Sequence, residues 1–321
     1  MQNNSGRPWP RIAVLLPCYN EEAAIGRVVA DFRAALPEAA IHVYDNNSTD
    51  RTVAEAEKAG AIVGRERRQG KGNVVRRMFA DVDADVFVLA DGDNTYDAAS
   101  APAMVERLLR DRLDMVVAAR VSSDKAAYRQ GHRFGNALLT DVVKWLFGRG
   151  FTDILSGYRV FSRRFVKSFP ALAKGFETET ELTIHALELR MPMAEVSTPY
   201  HLRLPGAQSK LRTYRDGMKI LLTILKMFKT ERPLAFFSII FAGLAAGAVL
   251  LSLPLLWTYA TTGLVPRFPT AILITGMMLL AFLALACGLI LDTVTRGRQE
   301  LKRLFYLSIP PCGDDRSAPG E

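Results

Sequence analysis

Two apolar runs near the end of the chain restrict its fold more than any other feature. Leu234 to Tyr259 passes 26 residues without a charge, and within Thr270 to Leu291 the segment "LITGMMLLAFLALACGLIL" has no ionisable group except Cys287. A helix of about 20 residues crosses a bilayer, and hydrocarbon demands that every backbone polar group be satisfied inside the segment. Two spanning helices are therefore expected at 233–292, rather than the buried hairpin of a large soluble core. The link "TTGLVPRFP" has one formal charge, Arg267, whereas "KMFKTER" precedes the first run and "RGRQELKR" follows the second. Basic residues collect on the cytoplasmic side, which places both termini and the region before the spans in the cytoplasm of a multi-pass protein, expected in a bacterial inner membrane. The opening apolar stretch "RIAVLLPCYNEE" is too short for a cleaved leader.

The net charge of +8 fits anionic headgroups and phosphorylated substrates. Nucleic acid is not expected, since no binding module or aromatic-basic platform is present. Cys18, Cys287 and Cys312 are scattered without ligand spacing, so neither a disulfide framework nor a zinc site follows.

Residues 11–211 read as one α/β domain after a tail at 1–10. Short apolar strands at Ile12–Leu16, Ile41–Tyr44, Ala61–Gly64, Val86–Leu89 and Met115–Ala118 alternate with helices near 21–36, 51–59, 72–81 and 98–110. That alternation predicts a parallel sheet covered on both faces. From Gly131 to Thr198 the period is helical, interrupted at "FTDILSGYRVFSR". A basic amphipathic stretch at 212–232 suits a helix lying in the headgroup layer, and 293–321 reads as a cytoplasmic helix and tail.

Ligands of such sheets bind beyond the carboxyl ends of the strands. The residues there are "PCYNEE", "DNNSTD", "ADGDN" and Arg120. Pro17 is expected to stop the first strand, with Asn20 capping the next helix and Glu21 and Glu22 favouring its positive end. Asp45 stands at a strand tip, where a carboxylate accepts hydrogen bonds from ribose or base, and Ser48 or Thr49 is placed to cap the helix that follows. The Gly70–Gly72 turn, with Lys71, offers backbone N–H groups and a cation to a phosphate. Asp91 and Asp93 repel each other unless a cation intervenes. Hard oxygen donors at a strand end are what Mg²⁺ or Mn²⁺ accepts beside substrate phosphates, and Asp97 suits a helix cap.

In order and spacing, "LPCYNEE", "DNNSTDRT", "GKGNVVRRMF", "ADGDNTYDA" and "AAR" resemble family 2 glycosyltransferases with the GT-A, Rossmann-like fold. "RFGN", "DILSGYRVFSRR" and "HLRLPGAQSKL", followed by two spans, are most similar to the polyprenyl-phosphate sugar synthases acting on dolichyl or undecaprenyl phosphate. The resemblance implies a nucleotide-diphosphate sugar donor, uridine favoured over guanosine, held by Pro17, Tyr19, Glu21, Asp45, Lys71, Asp91 and Arg120. It implies Asp91 and Asp93 as metal ligands and Asp93, Asp153 and Arg133 as catalytic. Arg133, Arg203, Ser209 and Lys210 would grip the phosphates of a polyprenyl phosphate acceptor. Thr95 departs from the pattern, standing where a Gln commonly completes the metal shell. The implied activity is an inverting transfer of a hexose or hexuronic acid, making a lipid-linked donor for envelope glycan or lipopolysaccharide modification. A family 2 enzyme acting on another lipid or on a growing polysaccharide is one alternative, although no Gln-x-x-Arg-Trp motif is present. The other is a catalytically silent membrane scaffold that binds nucleotide sugars. Gly243, Ala246 and Gly247 lie on close turns of the first span, a pattern suited to packing against a second copy of the chain.

Overall fold

A computed structural model describes residues 10–121, 153–171, 178–201, 225–226 and 228–311. The headgroup helix expected at 212–232 lies mostly outside the described residues, as do Arg133, Arg203, Ser209 and Lys210. The chain divides into two compact units, separated after Gly217 and again after Leu301, with Lys302 onward belonging to the first.

The first unit is built on a seven-stranded sheet. Its strands are β1 (Ile12–Cys18), β2 (Ala40–Asp45), β3 (Ile62–Arg65), β4 (Val86–Leu89), β5 (Met115–Val121), β6 (Arg159–Ser162) and β7 (Met193–Pro199), in the order β3-β2-β1-β4-β6-β5-β7. Among the described residues its helices are α1 (Ile25–Ala35), α2 (Thr52–Lys58), α3 (Lys71–Asp81), α4 (Ala101–Arg110), α5 (Arg163–Ser168) and α6 (Thr178–Glu188). Every residue of β1 and β4 is buried, the mark of strands covered on both faces. Ile25, Val28, Val29 and Phe32 make the buried stripe of α1, and Phe32 meets Tyr158 edge-on at 6.1 Å.

The α/β fold class stands, while the expectation of a purely parallel sheet is corrected. β6 runs antiparallel between β4 and β5, and all the other ladders are parallel. β7, inside the region read as helical, is also a strand. It pairs with β5 alone at the sheet's edge, where half-exposed residues blur the alternation that marks a strand. Nor does Pro17 stop the first strand, since β1 continues through it to Cys18 beside Asp45. The Leu15 carbonyl faces β4 and the Cys18 carbonyl faces β2. By alternation Pro17 faces the β4 side, where the β1–β4 ladder has already ended at Leu15–Leu89. Its missing N–H therefore costs the sheet nothing.

From Lys302 the chain packs within the first unit. Tyr306 donates its hydroxyl to buried Asp114 at 2.5 Å, and Arg164 and Ser162 also bond that carboxylate. Lys302 pairs with Glu188 at 2.7 Å.

The second unit holds α7 (Pro233–Thr262) and most of α8 (Phe268–Ser308), both long and apolar enough to cross a membrane. Gly263, left-handed at φ 69°, caps α7 with its N–H on the Tyr259 carbonyl. The helices run antiparallel. Phe241 meets Phe282 at 5.5 Å, and a Cβ on Gly288 would overlap Phe237, so glycine permits the close approach there. Gly247 faces Met277 of the same hairpin, so its smallness already serves a contact inside one chain, whereas Gly243 borders open space.

Candidate active site

The carboxyl ends of β1, β2 and β4 each leave the sheet through an asparagine with positive φ: Asn20 (52°), Asn47 (64°) and Asn94 (59°). Asparagine tolerates that left-handed geometry better than other residues with a Cβ. Cross-bonds then fix the loops to one another. The Asn20 N–H donates to Ser48 Oγ at 2.9 Å, and the Thr49 N–H donates to Asn20 Oδ1 at 2.8 Å. Asn20 thus bridges two loops instead of capping α1, whose cap residue Ala24 makes no side-chain bond. Neither Ser48 nor Thr49 caps α2, which starts from Arg51 without a side-chain cap. Asp97 does cap, accepting from the Ala99 N–H at the short 3₁₀ turn before α4.

Asp45 ends β2 as expected, buried, with its two oxygens accepting from the Ser48 N–H at 3.2 and 3.3 Å. An ionised carboxylate has about four acceptor positions, so it retains capacity for a ligand hydroxyl. Tyr19, just after β1, stands 36% exposed, and the Glu21 N–H is tied to Thr52 Oγ1 at 2.8 Å. The Gly70 N–H is committed to Asn46 Oδ1 at 2.7 Å, which corrects the expectation that it faces a phosphate.

Beyond β4, Gly92 explains the middle of Asp-Gly-Asp. A Cβ there would overlap the Cys18 sulfur, so only glycine lets the loop lie against the end of β1. Burial is the chief reason the Cys18 thiol pKa is well raised, and neighbouring carboxylates add to it, so this thiol acts as packing. Asp93 is buried, and its Oδ1 accepts from the Thr95 hydroxyl at 2.6 Å and the Thr95 N–H at 3.2 Å. Thr95 therefore orients Asp93. The Thr95 carbonyl in turn accepts the His201 N–H at 2.9 Å, and Tyr96 Oη accepts the Gly157 N–H at 2.9 Å.

Two further charge groups meet at this rim. Arg120 lies inside β5, not past its end, and forks onto Asp153 with bonds of 2.6 and 2.8 Å. Its guanidinium also sits 5.4 Å from the Tyr200 ring centre. The expected sugar-side carboxylate and the expected phosphate-side cation are thus partners. Lys71 reaches Asp91 and also Glu179 at 2.5 Å, a residue of α6 that sequence reasoning missed. Burial lowers the Lys71 pKa, but the opposing charges of Asp91 and Glu179 outweigh it and the net shift is upward.

Arg159 of β6 is the other residue that went unseen. It is fully buried, and its guanidinium donates to the Ser156 and Ile154 carbonyls at 2.9 and 2.6 Å and to the Thr183 hydroxyl at 2.9 Å. It holds in place the segment that carries Asp153. Burial is the leading cause that lowers its pKa to about 10, where it is still charged at neutral pH.

Asp91, Asp93 and the Thr95 hydroxyl are hard oxygen donors, which fits Mg²⁺ or Mn²⁺. Among the described residues no group of three His, Cys, Asp or Glu forms a ready-made cage. A site with two carboxylates matches a cation that fills its remaining positions with substrate phosphate oxygens.

Residues 13–168 match the family described as Glycosyl transferase family 2. The chain is 34% identical to the glycosyltransferase AglJ of Haloferax volcanii over 239 residues, 74% of this chain and 78% of that protein. It is 30% identical to the dolichyl-phosphate hexose transferase of Haloferax volcanii over 221 residues, 69% of this chain and 95% of the relative. The solved structure of glucosyl-3-phosphoglycerate synthase from Mycobacterium tuberculosis, in complex with Mn²⁺, UDP and glucosyl-3-phosphoglycerate, is similar with a TM-score of 0.55 and 25% identity, covering 67% of this chain and 80% of that one.

Proposed function

The chain belongs to glycosyl transferase family 2, and from that premise we propose that it moves a hexose or hexuronic acid from a nucleoside diphosphate sugar, UDP-linked in preference to GDP-linked, to the phosphate of a polyprenyl phosphate in the bilayer. The observation that carries this reading is an Asp-x-Asp pair on the rim of the sheet in a chain that also has two helices apolar enough to cross a membrane. A relative named for dolichyl-phosphate hexose transfer supports the acceptor, and a neighbour solved with Mn²⁺ and UDP supports the donor.

In this reading Pro17, Tyr19, Glu21 and Asp45 line the nucleoside side, and Asp91 and Asp93 hold Mg²⁺ or Mn²⁺. When bound, that cation supplies Lewis-acid stabilisation of the charge on the departing β-phosphate. Arg133, Arg203, Ser209 and Lys210 take the acceptor phosphate, for which a guanidinium fork is suited. The acceptor is already an anion at neutral pH, so its oxygen attacks the anomeric carbon with no proton to remove. The new C–O bond forms as the bond to the nucleoside diphosphate breaks, and the anomeric centre inverts. No general base is required. Asp153, forked to Arg120, acts by positioning that cation. The domain at 11–211 is catalytic, and both termini lie on the cytoplasmic side of a bacterial inner membrane.

Incubation of the purified protein with Mn²⁺, polyprenyl phosphate and a panel of UDP- and GDP-sugars, followed by mass spectrometry of the lipid fraction, tests the reading. One donor should yield a polyprenyl-phosphate sugar. Water-soluble products alone, from every donor, would refute the lipid acceptor.

A further inference from the structure

The proposed donor site leaves one group unused. Glu179, in the first turn of α6, is buried, and its Oε1 holds Lys71 at 2.5 Å while its Oε2 has no hydrogen-bond partner among the described residues. Lys71 spans Glu179 and Asp91. The three side chains grade outward, with relative exposures of 7% for Glu179, 12% for Lys71 and 29% for Asp91. Gly157 lines the same point. A Cβ there would lie 2.9 Å from Asp91 Oδ2 and 3.0 Å from Lys71 Nζ, so the backbone closes over the pair without a side chain.

An ammonium and a divalent cation cannot share Asp91 comfortably, because like charges in a partly buried site repel strongly. If Asp91 turns to a cation brought by the donor, Lys71 loses one of its two carboxylates. An ammonium left unpaired in that position would be expensive. A lone Lys71–Asp91 pair would not need a second buried acid, and an orphaned carboxylate oxygen in a protein interior calls for an explanation. Both oddities have one answer.

Resting on the donor-site reading above, we propose that Glu179 is a positioning residue that receives Lys71 when Asp91 turns to the metal-bound diphosphate. Lys71 is then an internal stand-in for the cation while the site is empty of donor. Glu179 Oε2 is the acceptor position kept for the ammonium after the exchange. No bond is made or broken in the exchange, and one ion pair replaces another.

The test is Mn²⁺ binding to the full-length protein in detergent, followed by electron paramagnetic resonance, with Mn²⁺ alone, with UDP and with GDP. Glu179→Gln should weaken Mn²⁺ binding in the presence of nucleotide about tenfold, the lower end of what loss of an outer-sphere partner does to a metal site. UDP binding without metal should stay unchanged, and Glu179→Asp should recover part of the loss. Lys71→Met removes the competitor and should tighten Mn²⁺ alone by about tenfold on the same basis. In that background Glu179→Gln should add nothing, because coupled residues are not additive. Unchanged Mn²⁺ binding in Glu179→Gln, or an equal loss with and without Lys71, would sink the exchange and leave the donor-site reading standing. If Glu179→Gln fails to fold, Lys71→Met decides alone, and no tightening overturns the proposal. Absence of Mn²⁺ binding in the unmodified protein with either nucleotide would instead bring down the donor-site reading and this inference with it.

Discussion

The sheet and the helical hairpin are both rich in large apolar side chains, but they place them in opposite ways. In β1 and β4, Leu15, Phe87 and Val88 are fully buried, whereas Leu250, Leu279 and Trp257 on α7 and α8 are 66%, 67% and 74% exposed. What the hairpin buries completely is small, Ala248 and Ala281. The sheet is therefore stabilised by removing hydrocarbon from water. The hairpin leaves most of its hydrocarbon exposed, the arrangement expected of helices that cross a membrane, where small residues set the helix spacing. One chain carries two folding rules. The site proposed for its chemistry sits on the rim of the part governed by the first.

That contrast can be broken or sharpened by substitution. The largest expected effect is on activity, from Asp93→Asn, which should lower kcat/KM for sugar transfer by about 1,000-fold, the scale of losing a main charge stabiliser. Near-normal transfer in that variant would remove the chemistry from the rim. Truncating the same side chain in the two regions comes next. Leu15→Ala should cost about 3 kcal/mol of stability, as cavity formation in a closed core does. Leu279→Ala should cost under about 0.5 kcal/mol in lipid, because an exposed site away from special features tolerates change. Urea midpoints of the protein in lipid nanodiscs would measure both, and equal losses would mean the hairpin is a buried core. Thr95→Val removes the hydroxyl that bonds Asp93 and should weaken Mn²⁺ binding about tenfold, read by the same resonance titration.

A further effect, about the size of one lost hydrogen bond, is on pH. His185 is buried between Phe165 and Phe169, and burial first, then Lys302, lowers its pKa to about 3. The folded protein thus keeps it neutral while the unfolded chain protonates near pH 6.5. Its contribution is complete above that value and is lost as pH falls from there toward 3. Stability should drop by about 1 kcal/mol between pH 7.5 and 6.0 from this group alone. A His185→Gln variant should show a flatter profile over that window, and an identical slope would assign the drop elsewhere.

Legibility followed the physics of each region. Strands β1, β4 and β5 could be read because buried strands are largely continuous apolar runs, and both long helices because a span needs length without charge. β6 was obscured by Arg159, since a charged residue reads as surface until its acceptors, the carbonyls of 154 and 156 and a hydroxyl on α6, are known. Pro17 was misread because its tolerance depends on where a neighbouring strand stops. Asp45, Asp91 and Asp93 were proposed from position alone, and the structure puts them at or just beyond the ends of β2 and β4. The meeting of Arg120 with Asp153, and of Lys71 with Glu179, was not, because those partners lie far apart in the chain and only the folded sheet brings them together.

The reversed direction of β6 has a consequence for what can meet across the rim. β5 ends on the side of the sheet that carries Asp91 and Asp93, and β6, running the other way, begins there, so Arg120 near the end of β5 meets Asp153 ahead of β6. A single reversed strand thus lets two side chains 33 positions apart in the chain clasp each other on one border of the sheet.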